Sequence, residues 1–186
     1  EMGISPDFAK KQEAVIGAYA RLGIKLECTC TPYYIYQTRF GDHLAWSESS
    51  AVAYANSVIG ARTNREGGPS ALAAAVIGKT PEYGLHRVAE RKPQIVVNVE
   101  DAAGWDEPAL YGALGYLAGK SIGDRIPLIR GLRPKRDQLK ALGAAMAASG
   151  AVALFHVEGI TPEARIFEYD LSGLDVITIE SGEILS

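Results

Sequence analysis

From Pro93 onward the chain alternates β-branched runs with segments of helix length, and that alternation limits its fold more than any other feature. Ile95 to Val99, Ile126 to Ile129, Ala151 to Val157 and Val176 to Ile179 read as strands. Between the first three lie the helical stretches Pro108 to Leu117 and Pro134 to Ala148, with Thr161-Pro162-Glu163 as a turn or short helix start before the last. Strands separated by helical crossovers run parallel and are buried on both faces. The expected fold is therefore α/β with a layered αβα arrangement and a largely parallel sheet. Before Pro93 the texture differs. Ser5-Pro6-Asp7 opens an amphipathic helix that closes at Gly23, and Ile24 to Cys28 begins a short strand. Thr29 to Asp42 reads as irregular. Ala51 to Ile59 fits strand or helix, and Ala71 to Ile77 is an alanine-rich helix stopped by Gly78. The polar stretch Arg87 to Pro93 is the boundary between two lobes, 1–90 and 91–186.

Composition removes several classes of function. At 186 residues, 47% of them hydrophobic, the chain can bury a real core. A formal net charge of −3 gives no basic footprint for nucleic acid, and no apolar run approaches the roughly 20 residues that cross a bilayer. With no signal-peptide pattern and only two cysteines, a reducing, cytoplasmic location is expected. Glu1, in place of a methionine, points to a chain cut from something longer.

Three groups of residues carry candidate chemistry. Cys28 and Cys30, two apart on an extended segment, point to opposite faces, so at most one serves a site. For Cys30 the readings are a buried apolar thiol, a cluster ligand, or a nucleophile with His43 as its base. Asn56 to Ser70 (NSVIGARTNREGGPS) concentrates polar groups between apolar segments. It reads either as a solvated loop or as an anion site built on Arg62, Arg65 and the amides near Gly67 and Gly68; on a helical turn the two arginines would share a side. The three histidines, His43, His86 and His156, lack zinc-site spacing. His156, after a strand, is either a binding residue or a strand-end cap, the cap being favoured. The tryptophans Trp46 and Trp105 and the tyrosines Tyr33, Tyr34 and Tyr36 read as packing.

Three phrases, TCTPYY at Thr29 to Tyr34, AWSESSAVAYANSVIGARTNREGGPSAL at Ala45 to Leu72, and LFHVEGITPEA at Leu154 to Ala164, resemble the large subunit of aconitase X, a branch of the aconitase superfamily of hydro-lyases. The resemblance implies an aconitase-like fold and a dehydratase. It makes Cys30 a ligand of an iron–sulfur cluster, of the [4Fe–4S] type, and places Glu48 and Ser49 against a small hydroxy-acid substrate, with Arg62 and Arg65 offsetting its charge; Cys28 has no role by this route. It implies two further cysteine ligands and substrate-holding glycine and asparagine loops that this sequence lacks, and a small catalytic subunit carrying a serine base. The sequence thus reads as a middle piece, inactive alone. Substrates in the family are mevalonate 5-phosphate, toward which NREGGPSALAAA leans, and cis-3-hydroxy-L-proline. The rival readings are a non-enzymatic binding or scaffold domain and a cysteine-nucleophile hydrolase.

Overall fold

A computed structural model describes residues 3–185, arranged as two compact units, Glu1–Cys30 and Thr31–Ser186. The first unit is one helix and a tail. Helix α1, Pro6–Arg21, starts where Ser5 Oγ accepts the Phe8 amide at 3.3 Å, with proline at its first position, and ends before Gly23 at φ +80°. None of its residues is buried. The short strand expected at Ile24 to Cys28 does not form. Among the described residues no strand pairs with it, and Cys28 at φ 44° breaks the extended geometry a strand requires.

The second unit carries the sheet. Strands β1, Ile95–Glu100, β2, Pro127–Arg130, β3, His156–Val157, and β4, Asp175–Glu180, lie in the order β3-β2-β1-β4, all parallel. Between β1 and β2 runs α4, Pro108–Ile122; between β2 and β3 runs α5, Arg136–Gly150. Ile95, Val97 and Val99 of β1 point into one core with Leu114, Ala118 and Ile122 of α4 and Leu142 and Met146 of α5. Val96 and Leu128, on the opposite pleat, are buried as well. That two-sided burial explains why β1 and β2 read as continuous apolar runs rather than alternating ones, whereas β4 is exposed at most of its positions. The two helices touch closely because of glycine. A Cβ on Gly115 would sit 2.4 Å from the Leu142 carbonyl oxygen, so any larger residue pushes α4 off α5.

Two sequence readings are decided here. Ala51 to Ile59 is helical: α2, Ser49–Tyr54, continues as a π-helical turn, Ala55–Ile59. The strand expected over Ala151 to Val157 shrinks to His156–Val157, because the preceding backbone is claimed by side chains. Asn56 Nδ2 donates to the Ala153 carbonyl at 2.9 Å, and the Phe155 amide donates to Ser57 Oγ at 2.8 Å. Ala151 itself sits at φ 65°, capping α5. The alanine-rich helix α3, Gly68–Ile77, ends as expected at left-handed Gly78; none of its residues is fully buried, and Ala71, Leu72 and Ala74 are half-buried. Two short helices, α6, Pro162–Ile166, and α7, Ser181–Leu185, flank β4.

Candidate functional site

Glu48 and Ser49 sit at the start of α2, where the helix needs acceptors for its unpaired amides. Glu48 is the N-cap: its Oε2 accepts the Ala51 amide at 2.7 Å and the Ser50 hydroxyl at 2.6 Å. Burial pushes this carboxyl up, but the hydrogen bonds from Ser50, Ala51 and Ser49 outweigh it and hold the group below its usual range. It is therefore an ionised acceptor with one engaged oxygen. Ser49 is the first helical residue and half-buried, and its hydroxyl makes no hydrogen bond to the described residues. A fixed carboxylate beside an uncommitted hydroxyl can accept from, and donate to, one hydroxylated molecule.

The polar phrase after α2 divides into a knot and a free edge. At the knot, Arg91 is 2% exposed and spends all five of its N–H groups. Nε meets Glu163 Oε1 at 2.7 Å, Nη1 meets Asn56 Oδ1 at 3.1 Å and the Leu85 carbonyl at 2.9 Å, and Nη2 meets the carbonyls of Asn56 at 3.0 Å and Ala61 at 3.1 Å. Asn56 in turn accepts the Thr63 amide at 3.0 Å and donates to the Thr63 carbonyl at 2.9 Å. His156 Nε2 lies 2.8 Å from the Arg91 carbonyl oxygen. Burial drives its pKa down to about 4, so at neutral pH it is an uncharged ring inside the fold and a structural residue. Neither Arg91 nor Glu163 stands out in the sequence, because a buried arginine is recognisable only once its five acceptors have converged.

At the free edge, Arg62 and Arg65 occupy extended backbone rather than a helical turn, so the shared side expected from their spacing is absent. The Arg65 guanidinium is held by the Ala151 carbonyl, at the rim of an open cleft of about 800 Å³ near the start of β1 and β2. Arg62 gives Nη1 to the His86 carbonyl at 3.3 Å, while its Nε is buried without a partner. The structure also joins two of the three scattered histidines: His43 Nδ1 and His86 Nδ1 stand 2.8 Å apart. Only the tertiary fold could reveal this pair.

Of the aromatic residues, Tyr33 is buried and stacks on Tyr54 with ring centroids 4.0 Å apart, Trp105 packs edge-on against Tyr111, and Trp46 packs beside Tyr33 and Tyr54. Tyr34 and Tyr36 are exposed, contrary to the packing role expected of them; Tyr34 lies under Lys140, whose Nζ is 4.7 Å from the ring centroid. Both cysteines are free and exposed, which excludes the buried apolar thiol for Cys30 within this chain. No helix is long and apolar enough to cross a membrane among the described residues.

A family model for the first domain of aconitase X matches residues 1–89, and one for its second domain matches residues 93–186. The chain belongs to the aconitase X family. It is 58% identical over 90% of its length to the phosphomevalonate dehydratase large subunit of Methanosarcina mazei, spanning 42% of that protein. To the cis-3-hydroxy-L-proline dehydratase of Pseudomonas aeruginosa it is 40% identical over 88% of its length, spanning 29% of the relative. The crystal structure of Thermococcus kodakaraensis aconitase X in its holo-form superposes with a TM-score of 0.88 at 50% identity, covering 98% of this chain and 47% of that one. The chain thus spans less than half the length of these aconitase X relatives. The Methanosarcina relative is named the large subunit of a dehydratase, which implies a smaller companion in that enzyme.

Aconitase X membership implies an iron–sulfur cluster. The free, exposed thiol of Cys30 suits a metal ligand. Among the described residues, however, no three His, Cys, Asp or Glu side chains converge to hold a metal, so these residues do not by themselves supply a full ligand set.

Proposed function

We propose that this chain forms the substrate-facing part of a hydro-lyase large subunit that removes water from mevalonate 5-phosphate. The observation that carries the reading is the gradient of similarity. Five archaeal phosphomevalonate dehydratase large subunits stand at 41% to 58% identity, four of them at 48% or more, against 40% and 35% for two cis-3-hydroxy-L-proline dehydratases. In this reading Cys30 is one thiolate ligand of a [4Fe–4S] cluster whose other ligands come from outside the described residues. A small catalytic subunit completes the enzyme, and the two lobes, 1–90 and 91–186, meet at Arg87 to Pro93. Bound through Cys30, the cluster would supply a Lewis acid for the leaving hydroxyl.

The chain's own residues bind and orient. Glu48, ionised and pinned by its cap bonds, accepts a hydrogen bond from a substrate hydroxyl, and Ser49 donates to an adjacent oxygen. Arg62 and Arg65 offset the negative charge of the substrate through their guanidinium charge.

The test places this sequence in a large subunit of the relatives' length, with its small subunit, and reconstitutes it anaerobically with iron and sulfide. Loss of water is then measured on mevalonate 5-phosphate and on cis-3-hydroxy-L-proline. Turnover of the phosphate ester supports the proposal. Turnover of the hydroxyproline alone moves the chain to the second substrate, and no turnover with no cluster absorption would leave the scaffold reading standing.

A further inference from the structure

The pair formed by His43 and His86 is left unused by the reading above, and its geometry is restrictive. The ring planes are within 8° of parallel with centroids 5.0 Å apart, while the two Nδ1 atoms are only 2.8 Å apart. A centroid spacing that equals the N···N distance plus the two ring radii means that the rings lie edge to edge in nearly one plane, with a hydrogen bond along it. One Nδ1 must carry the proton and the other must be bare. The direction follows from the far side of His86. That residue is 2% exposed and its Nε2 is buried with no partner. If His43 donated, His86 would carry its own proton on Nε2 and bury an orphaned N–H. If His86 donates, Nε2 is a bare lone pair, and an unsatisfied buried acceptor is the commoner and cheaper defect. Burial first, then His43, Arg91 and Arg62, keep the His86 ring uncharged, with Glu66 alone opposing them.

His43 therefore accepts on Nδ1 and keeps its proton on Nε2. The residue is exposed and lines an open cleft of about 630 Å³ together with Trp46, Lys79, Thr80 and the alanines of α3. Its backbone runs beside Arg62: the Leu44 amide donates to the Arg62 carbonyl at 2.9 Å and the Arg62 amide to the Asp42 carbonyl at 2.8 Å. A ring whose tautomer is dictated from behind cannot act as a base toward the cleft, since the only bare nitrogen is engaged. It can only donate. We propose that this cleft, which Lys79 also lines, is an anion subsite in which His86, a positioning residue, holds His43 as a fixed Nε2–H donor for a phosphate or carboxylate oxygen of a small hydroxy acid. The proposal rests on the dehydratase reading only for the choice of ligand.

The tautomers are read directly by long-range proton–nitrogen correlation on the 186-residue chain at pH 7.5. His43 should show a protonated Nε2 and a bare Nδ1, and His86 the reverse; His43 protonated on Nδ1, or both rings protonated on Nε2, would overturn the proposal. Mevalonate 5-phosphate and, separately, inorganic phosphate are then titrated in to millimolar concentration while the His43 Nε2–H signal is followed. Movement with either supports the subsite, and movement with the ester alone assigns it to the organic ligand. No movement with either overturns it. H43L should weaken binding about tenfold, the loss expected for one hydrogen bond to a charged oxygen, whereas H43Q, whose amide replaces the donor, should recover most of it. H86F should let His43 sample both tautomers and weaken binding less than H43L does. Binding by H43L equal to the unsubstituted chain sinks the idea even if H86F fails to fold. The tautomer readout needs no turnover, so failure of the water-elimination assay and failure of this subsite are separately visible.

Discussion

Arg91 and Arg62 sit in the same unit, and the difference between them separates structure from function in this molecule. Arg91 has an acceptor for each of its five N–H groups and is sealed from water, so nothing remains of it for a ligand. Arg62 is half-buried, makes one long bond to a carbonyl at 3.3 Å, and leaves Nε without a partner. A saturated guanidinium is a staple; Arg62, beside the histidine pair, is held far more loosely. The comparison teaches that counting a polar group's unmet bonds says more about its role than its presence in a polar phrase.

The largest effect that sharpens the contrast is at the staple. Glu163→Leu leaves the Arg91 charge buried and unpaired, and should cost about 3 to 5 kcal/mol of stability in urea unfolding. Arg62→Gln, removing one long bond, should cost about 1 kcal/mol or less. Equal losses would erase the distinction.

Next comes pH. Because His156 has its folded pKa depressed to about 4, the unfolded chain binds the proton first as pH falls below the ordinary histidine value. Stability should be intact above pH of about 6.5 and fall toward pH 4, by at most about 3 kcal/mol, and His156→Gln should flatten that slope in unfolding measured at successive pH values. A slope unchanged by the substitution would mean that the ring does not control it.

A smaller effect is expected at the α2 cap. Glu48→Ala should lose about 1 kcal/mol, which Glu48→Asp largely restores. The depressed Glu48 pKa makes its contribution present above the usual carboxylate range and lost as pH falls through the lower folded value, a window more acidic than that of His156. The smallest effect on stability belongs to the exposed thiols. Cys30→Ser and Cys28→Ser should each change stability by less than about 0.5 kcal/mol. In the reconstituted enzyme only Cys30→Ser should abolish cluster absorption; equal absorption in both variants would show that the wrong sulfur was chosen.

Sequence patterning anticipated the parallel sheet because strands buried on both faces cannot hide their apolar runs, and α1 because Ser5, Pro6 and Gly23 punctuate it. It misjudged Ala151 to Val157, where apolar side chains suggest a strand but the backbone bonds go to Asn56 and Ser57, about a hundred residues away in the chain. It also misjudged Arg62 and Arg65, whose spacing implies a shared side only on a helix that does not form. The Glu-Ser phrase was legible through resemblance to aconitase X, but its capping of α2 was not, since glutamate is an uncommon N-cap.

The order of residues alone determined most of the elements and the family, because hydrophobic period, proline and glycine act over a few neighbours, and long phrases such as AWSESSAVAYANSVIGARTNREGGPSAL identify themselves. Which polar groups are spent and which are spare was decided by the tertiary structure. His43 and His86, like Arg91 and Glu163, are 43 and 72 residues apart, and whether a hydrogen-bonding group finds its partner depends on distances of a few ångströms that no local pattern encodes.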